Sequence, residues 1–125
     1  MPVLLVDDVA EVTDAYRVLL ESAGYTVRTA ENGLRALEML RRGLQPSIIL
    51  LDLMMPEMDG FQFRVAQLRD PALVTIPVVV FSGHPFDART VARLGAVRYM
   101  QKPLDPEVLL ATIAAHRLPP TLVPA

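Results

Sequence analysis

A chain of 125 residues with 52% apolar side chains is long enough for one domain with a sizeable core, and too hydrophobic to be disordered over most of its length. A net charge of −2 supplies no basic face for gripping a phosphate backbone, so direct nucleic-acid binding is not expected; the lack of cysteine removes disulfides, thiolate metal sites and cysteine nucleophiles. The apolar runs are a handful of residues long and no charged leader precedes Met1-Pro2-Val3, so neither a membrane span nor a signal peptide is read, and a cytoplasmic location is the default expectation.

Apolar runs and helical patterns alternate along the chain. Val3 to Val6 reads as a first strand. A helix follows from near Asp8 to Gly24, with Asp8 and Glu11 spaced as a capping box and Val12, Ala15, Leu19 and Ala23 on one face. Thr26 to Thr29 is a mixed run that suits an edge strand. The second helix starts after Asn32 and stops at Gly43, with Leu37 and Leu40 inward. Ile48 to Leu51 is a continuous apolar run, the mark of a strand covered on both faces. The third helix starts at Asp59, with Phe61, Val65 and Leu68 on one stripe. Ile76 to Phe81, interrupted by Pro77, forms the fourth strand. A short fourth helix lies between about Pro85 and Leu94 and ends at Gly95. Val97 to Met100 is a second edge strand. The last helix has Asp105 as N-cap and Pro106 at its first position, with Leu109 and Ile113 inward. Leu118-Pro119-Pro120 ends it. The expected organisation is one domain over residues 1–118 and a loose tail or linker over 119–125.

Strand–helix alternation of this kind predicts an α/β domain: a five-stranded parallel sheet, doubly wound by five helices. Right-handed crossovers with edge positions for the second and fifth strands give the order 2-1-3-4-5. Ligands in such sheets sit beyond the carboxyl ends of the strands, where the strand order reverses. The polar residues just past the apolar runs are Asp7 and Asp8, Asp52, Ser82 and Lys102. Three carboxylates in one corner repel each other unless a cation joins them, and an all-oxygen donor set favours magnesium. Asp8 and Asp52 are candidates for direct ligands, Asp7 for one acting through water, and the Met54 backbone carbonyl for a further donor. A carboxylate held in this way can attack phosphorus and carry it as an acyl phosphate. Asp52, at the end of the most central strand, is the candidate nucleophile. Lys102 and Ser82 would neutralise and hydrogen-bond the remaining phosphoryl oxygens.

Taken singly, each residue has a plainer explanation. Asp8 suits a helix cap, Ser82 a turn, Tyr99 simple edge-strand packing and His84 a turn position. Jointly, polar groups of complementary chemistry follow four of the five apolar runs, and Lys102 is the only lysine among 12 basic residues. A phosphohydrolase would need a second acid near the nucleophile, but Leu53 and Met54 follow Asp52. A flavin site would want a Ser/Thr/Gly-rich loop where Asp7 and Asp8 stand.

These residues resemble the receiver domains of two-component response regulators (the CheY-like family) from about Val3 to Arg117. The matching segments are Leu4-Leu5-Val6-Asp7-Asp8, Ala30-Glu31-Asn32-Gly33-Leu34-Arg35-Ala36-Leu37, Leu51-Asp52-Leu53-Met54-Met55-Pro56-Glu57-Met58-Asp59-Gly60, Phe81-Ser82-Gly83, and Gly95-Ala96-Val97-Arg98-Tyr99-Met100-Gln101-Lys102-Pro103. The resemblance implies a signalling domain rather than an enzyme of turnover, phosphorylated on Asp52 by a histidine kinase or a histidine phosphotransfer protein. It implies Mg2+ on Asp7, Asp8, Asp52 and the Met54 carbonyl, and Lys102 and Ser82 on the phosphoryl group. It further implies Tyr99 as an aromatic switch responding to Ser82, a cis bond before Pro103, and an output partner on the face of helix 4, strand 5 and helix 5. In this family the same face also serves homodimers, and Met54 and His84 occupy positions that tune the life of the phosphate. A stand-alone receiver and a receiver from a longer regulator both fit.

Overall fold

The structure is a computed structural model, and it describes residues 1–119; the expected tail from residue 120 onward lies outside the described residues. Five strands, β1 (Val3–Val6), β2 (Val27–Ala30), β3 (Ile48–Asp52), β4 (Val78–Ser82) and β5 (Arg98–Gln101), alternate with five helices, α1 (Ala10–Ser22), α2 (Gly33–Arg41), α3 (Gly60–Leu68), α4 (Ala88–Ala92) and α5 (Pro106–His116). All strand pairings are parallel, and the order is β2-β1-β3-β4-β5, as the alternation predicts.

Because successive strand residues point to opposite faces, each apolar run feeds two cores. Leu4, Val6, Ile49, Leu51, Val78 and Val80 pack with Leu37, Leu40 and Phe63 on the side of α2 and α3. Val3, Leu5, Ile48, Leu50, Val79 and Phe81 pack with Leu20, Leu109 and Ile113 on the side of α1 and α5. Both faces of β1, β3 and β4 are therefore dry, which is why those runs are uninterrupted. Helix starts follow their caps. Asn32 accepts from the Arg35 N–H, Asp59 forms a capping box with Gln62, Asp87 accepts from Thr90 and Asp105 from Glu107, each cap contributing about 1 kcal/mol.

Two helices differ from expectation. α1 begins at Ala10 with Val9 as an N-cap that makes no side-chain bond, so Asp8 and Glu11 form no capping box. Asp7 takes the Val9 N–H instead, at 3.0 Å, which leaves the Asp8 carboxylate free of the helix. The inward face of α1 is Thr13, Tyr16 and Leu20, while Ala15 and Ala23 are exposed. Thr13 is tolerated inside because its hydroxyl bonds the Val9 carbonyl at 3.1 Å.

In α3 the stripe Phe61-Val65-Leu68 meets the core only at Phe61: Val65 and Leu68 are 49% and 47% exposed. The inward face is Phe63, Arg64 and Gln67. Arg64 donates to the Leu94 carbonyl (2.7 Å), the Gly95 carbonyl (3.0 Å) and the Gln67 Oε1 (2.7 Å). Gln67 in turn donates to the Leu73 and Ile76 carbonyls, both at 3.0 Å. Two long polar side chains thus satisfy the backbone of the loops leading into β4 and β5, and burial lowers the Arg64 pKa from its ordinary value without a counter-charge. α4 is short, as its sequence suggests, and none of its own residues is buried; Leu94, just past its end, is its anchor to the core.

Replacing Arg64 by alanine strands these carbonyls, and Arg64→Ala is expected to lower stability by about 3 kcal/mol in urea unfolding. A loss below roughly 1 kcal/mol would show that the guanidinium is dispensable to the loops it ties.

Candidate functional site

Strand register builds the site. Val6 of β1 stands opposite Leu51 of β3, so the next residues, Asp7 and Asp52, arrive together at the same rim. Ser82 pairs with Gln101, which puts Lys102 one step beyond the end of β5. Asp7 is 2% and Asp52 3% exposed, whereas Asp8 is open to solvent. One oxygen from each of Asp7, Asp8 and Asp52 lies within 4.8 Å of the others. The Lys102 ammonium closes the cluster: its Nζ is 2.9 Å from the Asp7 carboxylate and 3.3 Å from that of Asp52, and it also lies 5.2 Å from the Phe81 ring centroid. The Lys102–Pro103 bond is cis, and the Lys102 N–H donates to the Ser82 carbonyl at 2.8 Å.

The loop after β3 is pressed against the acceptor strand. Met54 N–H donates to Asp52 Oδ1 at 3.2 Å. Gly60 N–H returns to the Leu53 carbonyl at 3.2 Å, and a Cβ at Gly60 would sit 2.6 Å from the Asp52 carbonyl oxygen. Only glycine fits there, so Gly60 fixes the loop that carries Met54. Met54 itself is 56% exposed.

Ser82 is fully buried, and its hydroxyl accepts the His84 N–H at 3.0 Å. No hydrogen bond joins Ser82 to the carboxylates among the described residues. The Tyr99 hydroxyl donates to the His84 carbonyl at 3.2 Å. Ser82 and Tyr99 thus hold the two ends of one residue, a link that sequence reasoning missed because it runs through the His84 backbone. Beside it, the His84, Phe86 and Phe61 rings stack edge to face, with centroids 5.0 and 5.3 Å apart.

Charge crowding sets the titration. Burial first, and then the charge of Asp7, push the Asp52 pKa up from 3.8 to about 6, against the opposing pull of the Met54 N–H and Lys102. Burial alone would lower Lys102, but its hydrogen bond to Asp7 and the charges of Asp52 and Asp7 outweigh it and leave its pKa raised. An all-oxygen trio with excess negative charge fits a hard divalent cation such as magnesium.

A folded-state pKa above the unfolded one means the folded protein holds a proton that the unfolded chain has already released. Stability without divalent cations is therefore expected to fall as pH rises from about 4 through about 6, by on the order of 2 kcal/mol. Asp52→Asn should flatten that slope in urea titrations. An unchanged slope in the variant would assign the proton elsewhere.

A family model described as the response regulator receiver domain matches residues 3–114. The DNA-binding dual master transcriptional regulator RpaA of Synechocystis sp. is 36% identical over 115 residues, covering 90% of this chain and 47% of RpaA. Protein PilH of Pseudomonas aeruginosa is 35% identical over 117 residues, covering 90% of this chain and 94% of PilH. The chain thus spans about half the length of RpaA and nearly all of PilH. Among solved structures, the chemotaxis protein CheY4 of Vibrio cholerae superposes with a TM-score of 0.83 at 29% identity, covering 92% of this chain and 97% of CheY4. The signal receiver domain of a histidine kinase from Syntrophus aciditrophicus gives 0.82 at 31% identity, covering 91% of this chain and 87% of that domain. With this family match and the fold in common, this chain belongs to the response regulator receiver domain family of two-component systems.

Proposed function

We propose that the domain accepts a phosphoryl group on Asp52 from the phosphohistidine of a histidine kinase or a histidine phosphotransfer protein, in a magnesium-dependent reaction. The observation that carries this reading is the Lys102 ammonium within bonding distance of both Asp7 and Asp52, beside the free carboxylate of Asp8. Asp7, Asp8, Asp52 and the Met54 carbonyl would hold the ion. Once bound, it would offset the charge of the carboxylates and of the phosphoryl oxygens. Asp52, with a pKa of about 6, is mostly ionised at neutral pH and available as the nucleophile. An Asp52 oxygen–phosphorus bond forms as the donor's nitrogen–phosphorus bond breaks, and the donor imidazole keeps the electron pair. Lys102 then shifts its charge to a phosphoryl oxygen.

Ser82 accepts from His84 but keeps its own proton, which it can donate to the phosphoryl group. Drawing Ser82 toward that group pulls on the His84 peptide and moves the acceptor of the Tyr99 hydroxyl. The switch is thereby passed to the surface of α4, β5 and α5, where an output partner or a second copy would dock. On this reading the protein acts in the cytoplasm as a signalling component rather than a turnover enzyme.

Asp52→Asn is expected to abolish labelling by radioactive acetyl phosphate in the presence of magnesium; labelling at the wild-type rate would move the acceptor elsewhere. Structures solved with and without beryllofluoride should differ in the Tyr99–His84 hydrogen bond. The same Tyr99 rotamer and the same bond in both would remove Tyr99 from the switch.

A further inference from the structure

The face between α2 and α3 belongs neither to the acidic rim nor to the α4–β5–α5 surface. It is a groove of about 600 Å3, lined by Leu34, Leu37, Met58 and Ala66 and edged by Glu38, Arg41 and Arg42. Leu34 lies at the first turn of α2 and is 50% exposed, while Leu37 forms a buried floor.

The charge around α2 runs against the balance of the whole chain. Arg41 and Arg42 edge the groove itself, and Arg28 and Arg35 line a neighbouring pocket together with Arg42, in a protein whose net charge is −2. Glu38 is their one acidic neighbour along the helix, shared between Arg35 and Arg42 at 3.3 Å each. Arg41 has no acidic side chain within 4.0 Å among the described residues.

The groove is also fastened to the phosphoacceptor loop. Met58, one of its walls, sits in the segment between Asp52 and Gly60. The Gly33 N–H donates to the Met58 carbonyl at 3.0 Å, and a Cβ at Gly33 would come within 2.7 Å of the Met58 side chain. The first turn of α2 and the loop after Asp52 are therefore in direct contact, joined by a backbone hydrogen bond.

We propose that the α2–α3 groove is a docking face for an acidic amphipathic helix of a partner protein, and that its affinity responds to the state of Asp52 through Met58. The apolar floor takes the partner's hydrophobic side chains, and the arginine rim takes its carboxylates. The surface itself is read from the groove; its response to Asp52 rests on the phosphoacceptor reading above.

The test is a titration of the isotope-labelled full chain with a synthetic helix carrying leucines on one face and glutamates on the other, followed by amide chemical shifts. Saturable binding is expected, with shifts centred on Leu34, Leu37 and Ala66. Affinity should fall about tenfold in Leu34→Asp and in Arg41→Glu, two exposed changes that leave the core intact. A peptide with lysines in place of the glutamates should not bind. Beryllofluoride with magnesium should change the affinity of the acidic helix severalfold. Absence of saturable binding, shifts centred on α4 or α5, or equal binding of the lysine peptide overturns the docking face. If beryllofluoride moves the amides around Asp52 yet leaves the affinity unchanged, the coupling through Met58 is overturned. If it does not move those amides, the failure lies with the phosphoacceptor reading, and the docking face stands or falls on the titration without it.

Discussion

Negative charge gathered at the rim of β1 and β3 has to be neutralised, and within the chain that task falls to Lys102. Two buried carboxylates, Asp7 and Asp52, share its ammonium, and Asp8 adds a third charge within reach. Buried charges are tolerated only when paired and hydrogen-bonded, so the position of Lys102 is a condition of the fold as well as of the chemistry. The pairing is incomplete: one positive charge faces three negative ones, and the Asp52 pKa is raised by burial first and by the charge of Asp7 after it. Such a corner favours a bound cation. The lone lysine of an arginine-rich chain stands where a compact point charge fits between two acids and a planar guanidinium does not.

The sheet was legible because its strands are buried on both faces. Val3–Val6 and Ile48–Asp52 have no outward side to encode, so their apolar runs are unbroken and their rim residues can be counted off directly. The helix caps at Asn32, Asp59 and Asp105 were legible for a local reason: each is a side chain bonding backbone within three residues of itself. The faces of α1 and α3 were not. Periodicity places apolar residues inward, but Thr13, Arg64 and Gln67 are buried because distant carbonyls or a preceding turn satisfy them. Those partners are set by tertiary packing, and Leu94 is 30 residues from Arg64. The membership of the site could be read from strand ends; the bond of Asp7 to Val9, which frees Asp8, could not.

The link between Ser82 and Tyr99 was only half visible. Ser82 and Tyr99 stand out by position, yet what joins them is the backbone of His84, whose side chain has no part in it. The loop it belongs to is braced by the edge-to-face contacts of Phe61, His84 and Phe86. Any residue but proline at position 84 offers the same N–H and C=O, so the connection survives most substitutions there while its stiffness does not. Stiffness depends on the ring stack.

The Arg64–Gln67 pair gives the fourth helix an unusual mechanical footing. α4 contributes no buried residue of its own, and its far end is held by a guanidinium seated in a different helix. The same pair grips the backbone leading into β4. A rearrangement that keeps these bonds cannot slide the short helix along the sheet. It can only swing it about a pinned heel at Leu94, like a door on one hinge, with the widest arc at Asp87 next to the aromatic stack.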